Sequence, residues 1–297
     1  MSEWAAEVVV DEGTARRLIE EQFPELRRPS LRLLGEGWDM TVWLVDGAQV
    51  FRFPRREIVV PGLERELEVL PRIAPSLPLR IPEPAFRGQP DDGYPWPFYG
   101  APLVAGQEIG QAGLDQAARD ALAPELAEFL KVLHSLAPPI ELPSDPMGRG
   151  DPSVRGPRAR EVLARLEEAG AWSAPPGTDE WLTAAEQLPP NADHVLVHGD
   201  LHLRHLLVGD LHATGVIDWI DVCRAPRAVD LALYWSLFSD FGRRQFIRVY
   251  GELDEADLLR ARVLALNLCA ILAEYAHAEG VAWLLAEALA GLERTVS

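Results

Sequence analysis

The sequence predicts an α+β fold in two lobes, the first an antiparallel sheet with a helix and the second mainly helical. Three observations carry this. The N-terminal third alternates short apolar runs with turn signals, and from Leu114 onward the apolar spacing is helical. Two further short apolar runs, HVLVHGD and TGVID, interrupt the helical part, and each ends in an aspartate.

Taken in order, residues 14–23 (TARRLIEEQF) read as an amphipathic helix. Strand-like segments follow at Leu31 to Leu34, Thr41 to Val45 and Gln49 to Phe53, and the turn signals GEGWD and DGA between them make an antiparallel meander. GLERELEVLPRI is helical, and Pro-rich strand segments lie at Pro84 to Arg87 and Phe98 to Val104. A boundary between the lobes is expected near Ala105-Gly106, giving residues 1–105 and 106–297. Beyond it, helices are expected in LDQAARDALAPELAEFLKVLHSL, PRAREVLARLEEAG, AVDLALYWSLF and the long run Glu255 to Arg294. The Pro/Gly-rich stretch Pro138 to Pro157 reads as a surface loop, and no repeat of solenoid period is present.

With 297 residues, 48% of them hydrophobic, the chain can bury a substantial core. Its apolar runs are broken well before the roughly 18 residues of a membrane helix, and the segment MSEWAAEVVVDEG lacks the basic flank of a signal peptide. A cytoplasmic, membrane-free protein is expected. Cys223 and Cys269 are too few and too isolated for a disulfide framework or a thiolate zinc site, and read as buried free thiols. The formal net charge of −18 argues against a nucleic-acid partner and suits a cationic small molecule. Lysine occurs once, at Lys131, while arginine is abundant, so any cation needed at a phosphate falls to arginine.

Either Asp200 or Asp218 alone is an ordinary turn residue after a buried strand. Their combination with His198-Gly199 before the first, His205 five positions after it, and Ile217-Asp218-Trp219 closing the second strand points to phosphoryl transfer. That chemistry needs one carboxylate to orient a substrate hydroxyl and another, with a neighbouring ligand, to hold a metal against nucleotide phosphates. Here the chain resembles the aminoglycoside and macrolide phosphotransferases, antibiotic kinases of the protein-kinase-like bilobal fold. The strand–strand–strand–helix–strand–strand order of the first lobe is that of a kinase-like N-lobe. The resemblance implies that Asp200 is catalytic, that Asp218 is a metal ligand, and that His198 and Asp230 brace the catalytic loop. Most members carry Asn where this chain has His205. The 2''-aminoglycoside and macrolide phosphotransferases carry His, which places the chain nearest that branch.

The same resemblance assigns a nucleotide site. Gly35 and Gly37 sit in a turn between strands, where a missing Cβ lets backbone amides approach phosphate oxygens. Arg52, in VFRFP, stands where the family has lysine, and Glu66 is its expected partner ahead of Glu64 and Glu68. Pro102 and Val104 fall at the purine-holding hinge, one accepting through its carbonyl and the other donating. ATP or GTP with Mg2+ is implied, with a slight lean to GTP. For a polycationic acceptor the candidate carboxylates are Asp221, Asp240, Glu274 and Glu279, with Tyr234, Trp235 and Trp283 as walls. A macrolide, or a simple alcohol such as a sugar, choline or homoserine, fits the same chemistry.

Magnesium prefers oxygen ligands, so His205 in its shell is chemically awkward. Five of the seven histidines fall between His194 and His212, which raises a reading from another class, a zinc hydrolase using His198, His202 and His205. That reading lacks an H-E-x-x-H arrangement and leaves Arg52 and Glu66 without a role. An idle nucleotide-binding pseudokinase is disfavoured by the presence of both Asp200 and Asp218.

Overall fold

The structure, a computed structural model, describes residues 6–37 and 39–297. The first five residues of MSEWAAEVVVDEG and Trp38 of the glycine turn lie outside them. The chain forms two compact units, Met1–Pro75 with Arg80–Val104 and Ser76–Leu79 with Ala105–Ser297. Among the described residues no helix is long and apolar enough to cross a membrane.

The N-terminal unit opens with α1 (Glu12–Gln22), whose first turn is capped by the Asp11 carboxylate accepting from the Thr14 amide. Its buried face, Ala15, Leu18 and Ile19, packs with the aromatic side of a sheet. The sheet strands are β1 (Leu31–Glu36), β2 (Met40–Val45), β3 (Gln49–Pro54), β4 (Phe86–Gly88) and β5 (Phe98–Pro102), arranged β1-β2-β3-β5-β4 with every neighbour antiparallel. Alternation puts Phe51, Phe53 and Phe98 on one face, fully buried and in ring contact. Between β3 and β4 runs α2 (Val60–Ile73), which buries Leu63, Glu66, Leu67, Leu70 and Ile73 at helical spacing. Pro71 in its last turn has no N–H for the Leu67 carbonyl, and the Arg87 guanidinium donates to that oxygen instead.

The second unit is mainly helical. Its elements are β6 (Gln107–Glu108), α3 (Gln116–Ala121), α4 (Ala123–Ser135), α5 (Pro152–Glu168), α6 (Thr178–Glu186), β7 (His194–Val197), β8 (Leu206–Gly209), β9 (His212–Val216), β10 (Cys223–Pro226), α7 (Ala232–Ser236), α8 (Asp240–Tyr250), α9 (Glu255–Glu279) and α10 (Ala282–Val296). Three expectations change. The single helix expected over 114–136 is two, because Pro124 cannot donate to the preceding turn. The loop expected to Pro157 ends earlier, since Asp151 caps a helix that Pro152 starts, with its side chain accepting from the Ser153 amide. The long C-terminal run breaks at Gly280, which takes a left-handed φ of 70° and separates α9 from α10. α9 is buried on several sides, with Val263, Leu266, Ala270 and Ala273 in one cluster with α5, α6 and α10.

The two aspartate-bearing strands do not pair with each other. β7 pairs with β10, and β9 pairs with β8, which continues to β6. Hydrogen bonds from the loops after each strand join the two ribbons, as described next.

Candidate active site

The loop after β7 is fixed by backbone groups that have no strand partner. Asp230, fully buried in a 3-10 turn before α7, accepts from the amides of His198 at 2.7 Å and Gly199 at 3.0 Å. From α4, His134 Nε2 lies 3.2 Å from the same carboxylate, and His134 Nδ1 is 2.7 Å from the Tyr250 hydroxyl of α8. Burial opposes ionisation of Asp230, but these hydrogen bonds and the nearby histidines hold its pKa below the ordinary carboxylate value. Gly199 takes a φ of +93°, and a Cβ there would run into the Asp221 carbonyl, so the turn admits only glycine.

His198 is fully buried, and both of its ring nitrogens are used. Nε2 donates to the Ile217 carbonyl at 3.0 Å, and Nδ1 accepts from the Asp200 amide at 3.2 Å. The ring therefore links the two loops and fixes the backbone of Asp200. Burial pushes its pKa below the ordinary value of 6.5, keeping it neutral. No nitrogen remains for a metal, which removes His198 from the zinc-hydrolase ligand set.

Asp200 projects from this frame with its side chain 20% exposed. One oxygen, Oδ1, is 3.2 Å from Arg149 Nη2, and the other, Oδ2, faces His202 Nε2 at 3.7 Å. Arg149 comes from the Pro/Gly-rich stretch before α5 and also donates to the Gly199 carbonyl at 2.9 Å and to Asp221 Oδ2 at 2.8 Å. Burial disfavours its charge, yet Asp200 and Asp221 beside it raise its pKa above the ordinary value. His205 Nδ1 donates to the Asp200 carbonyl at 2.7 Å, which turns Nε2 toward Asp218 Oδ2 at 3.4 Å. Asp218 has a φ of +67°, a left-handed backbone uncommon outside glycine, which turns the chain at the end of its strand. His202 stacks on His205 with ring centroids 3.9 Å apart, and burial and its histidine and arginine neighbours lower its pKa well below 6.5.

In the N-terminal unit, Arg52 Nη1 donates to Glu66 Oε1 at 2.8 Å and to the Tyr99 hydroxyl at 3.3 Å. Glu66 is fully buried, while Glu64 and Glu68 are exposed and Glu68 pairs with Arg72 and Arg87. Gly35 lies at a bulge in β1, and among the described residues no atom stands where its Cβ would be. The Gly37 amide closes the β1–β2 turn on the Met40 carbonyl at 3.0 Å. Pro102 ends β5 exposed, and Val104 is buried two residues on.

A family model described as the phosphotransferase enzyme family matches residues 30–266, a span holding every carboxylate and histidine of the loops after β7 and β9 just named. The chain belongs to that family. No curated protein matches it. Among solved structures, a GDP complex of a variant aminoglycoside 2'-phosphotransferase-IIIa is 25% identical, covering 96% of this chain and 97% of that one, with a TM-score of 0.70. The GDP and kanamycin complex of APH(2")-IIia is 24% identical over 95% and 97%, with a TM-score of 0.65. A macrolide 2'-phosphotransferase from Brachybacterium faecium is 23% identical over 96% and 98%, with a TM-score of 0.61. The fold is thus that of the aminoglycoside and macrolide phosphotransferases, and the protein is a phosphotransferase.

Within this phosphotransferase, three of the four acidic residues picked out for a polycationic acceptor have arginine partners. Asp221 is held by Arg149, Asp240 lies 3.3 Å from Arg243 Nη1, and Glu274 pairs with Arg165. Trp235 and Asp240 line a cavity of about 540 Å³ with Arg243, Arg244, Arg248 and Arg262. The Trp235 indole N–H donates to the Leu258 carbonyl, and guanidinium carbons of Arg243 and Arg262 lie 4.4 and 4.9 Å from its ring. That basic lining disfavours a polycation at this cavity. Arg149, His134 and Tyr250 were not singled out by the sequence. Each lies far along the chain from Asp200, in a loop or helix with no motif around it.

Proposed function

We propose that this phosphotransferase moves the γ-phosphoryl group of ATP or GTP to a hydroxyl of a small molecule, with Asp200 orienting the attacking hydroxyl and accepting its proton. The reading is carried by one observation. Asp200 has its backbone locked by His198, His205 and the Asp230-capped turn, has one oxygen held by Arg149, and keeps the other toward partly open space. A carboxylate so held needs no reorganisation before it meets a hydroxyl. Asp218 and His205, whose facing atoms are 3.4 Å apart, would hold the divalent ion, which when bound neutralises charge on the phosphates. Arg52, kept straight by buried Glu66, is the phosphate cation of the N-terminal unit, Gly35 and Gly37 supply backbone amides, and Pro102 and Val104 the base contacts. GDP in three of the similar structures, ATP in another and ADP in a further one fit either donor.

For the acceptor, an aminoglycoside-like antibiotic remains the family-based reading. The arginine partners of Asp221, Asp240 and Glu274 favour a second one, a weakly charged acceptor such as a macrolide or a simple sugar alcohol. A polycation needs carboxylates whose charge is not already neutralised. We place the enzyme in the cytoplasm, consistent with two buried free thiols. The test is NDP release with GTP and with ATP, in Mg2+, across aminoglycosides, macrolides and simple alcohols. Stimulation by a macrolide or neutral alcohol supports the second reading, stimulation by an aminoglycoside alone restores the first, and no stimulation by any hydroxyl compound overturns both.

A further inference from the structure

We propose that Asp200, His202 and His205 form a binding site for a borderline divalent transition metal, Zn2+ above all, distinct in its donor set from the magnesium pair His205 and Asp218. One atom from each of the three side chains lies within 4.8 Å of the others, and all three side chains are partly open to solvent. Two imidazoles and one carboxylate are the ligand chemistry of zinc rather than of magnesium, which favours oxygen and a hydrated octahedral shell.

The hydrogen bonds orient the donors. The Asp200 carbonyl can only accept, so His205 Nδ1 must carry the proton it donates there at 2.7 Å. A neutral His205 ring therefore presents an Nε2 lone pair, the form a metal takes. Arg149 occupies Asp200 Oδ1, leaving Oδ2 facing His202 Nε2 at 3.7 Å. Donors on a tetrahedral zinc stand roughly 3.4 Å apart, so small side-chain rotations close the set. Ligation through His202 Nε2 shifts the ring proton to Nδ1, at the cost of the long 3.2 Å contact from the Arg204 amide. The phosphoryl-transfer reading gives His202 no task, whereas this site uses it as a ligand.

The functional consequence rests on the kinase reading. Zinc on Asp200 Oδ2 occupies the oxygen that would meet the acceptor hydroxyl, so zinc inhibits transfer while magnesium supports it. The experiment is titration of the chelator-stripped full chain with Zn2+ against a chromogenic zinc chelator, in millimolar Mg2+. One equivalent is expected to bind, and His202→Gln is expected to weaken it by roughly 100-fold or more, beyond the 10–100-fold lost with outer-shell partners. Zinc K-edge absorption on the wild-type protein is expected to show two imidazoles and no sulfur, and serves if His202→Gln fails to fold. No stoichiometric zinc in the wild type, wild-type affinity in a folded His202→Gln, or a sulfur ligand would overturn the site. Binding is read without turnover, so a protein that binds zinc through these residues but transfers no phosphate would overturn the kinase reading alone. Stoichiometric zinc that leaves magnesium-supported transfer untouched would overturn the inhibitory role.

Discussion

Arg52 and Glu66 form an ion pair whose side chains are 9% and 0% exposed, at 2.8 Å, whereas Arg149 and Asp200 are 15% and 20% exposed, at 3.2 Å. The first is a dry strut between a strand and a helix. The second is a wet hold on a carboxylate that retains a second oxygen for other partners. A buried pair cannot lose one member without stranding a charge in low dielectric, but a partly solvated one can exchange its partner for water or for a substrate group. Similar chemistry is thus used once for permanence and once for readiness.

The largest expected effect comes from breaking the dry pair. Arg52→Met removes the guanidinium from buried Glu66, and denaturant unfolding should report a loss of about 3–5 kcal/mol. Arg52→Met with Glu66→Leu should recover much of it, and a single variant as stable as wild type would contradict the strut. Breaking the wet pair should be felt in chemistry instead. Arg149→Met should lower kcat roughly 100-fold with KM for nucleotide little changed, because a slightly misplaced carboxylate loses its geometry with the hydroxyl. Arg149→Lys should restore part of that rate, and equal losses in kcat and stability would mean that Arg149 is a strut as well.

The smallest effect is in pH. His198 has a folded pKa below the ordinary 6.5, so the unfolded chain takes up its proton first as pH falls. Its contribution is therefore whole above about 6.5 and declines as pH drops toward the folded value, at no more than about 1.4 kcal/mol per pH unit. Asp230, also lowered, keeps its contribution above the ordinary carboxylate range and loses it only in stronger acid. Thermal unfolding across pH should show the first decline, to which His202, lowered further, adds, and His198→Asn should make it shallower without abolishing it.

The difference between the pairs also governs what the sequence could reveal. Glu66 lies 14 residues from Arg52 on the helix that follows its strand, and helical burial spacing singles it out from Glu64 and Glu68. Arg149 is one arginine among many, in a loop without periodicity, and meets Asp200 only through the tertiary fold. The β7–β10 pairing was hidden because CRAP is short, proline-ended and close to the 3-10 turn. α8 was missed because DFGRRQFIRVY is polar and carries Gly242, yet a Cβ at that glycine would strike the Asp120 carboxylate, which accepts from the Ser239 amide at 2.9 Å. Asp200, Asp218 and His205 were legible because their spacing along the chain is itself the motif. The pairing of Asp221 with Arg149 and of Glu274 with Arg165 was not, since those partners meet only in the tertiary fold.

The most direct test of Asp200 as the hydroxyl-orienting base is to measure nucleotide binding and phosphoryl transfer on the same preparation of Asp200→Asn, with whichever acceptor stimulates the wild type. Nucleotide affinity is expected to stay within a few-fold of wild type and transfer to fall by about 10²–10⁴-fold. Transfer at the wild-type rate in that variant would contradict that role.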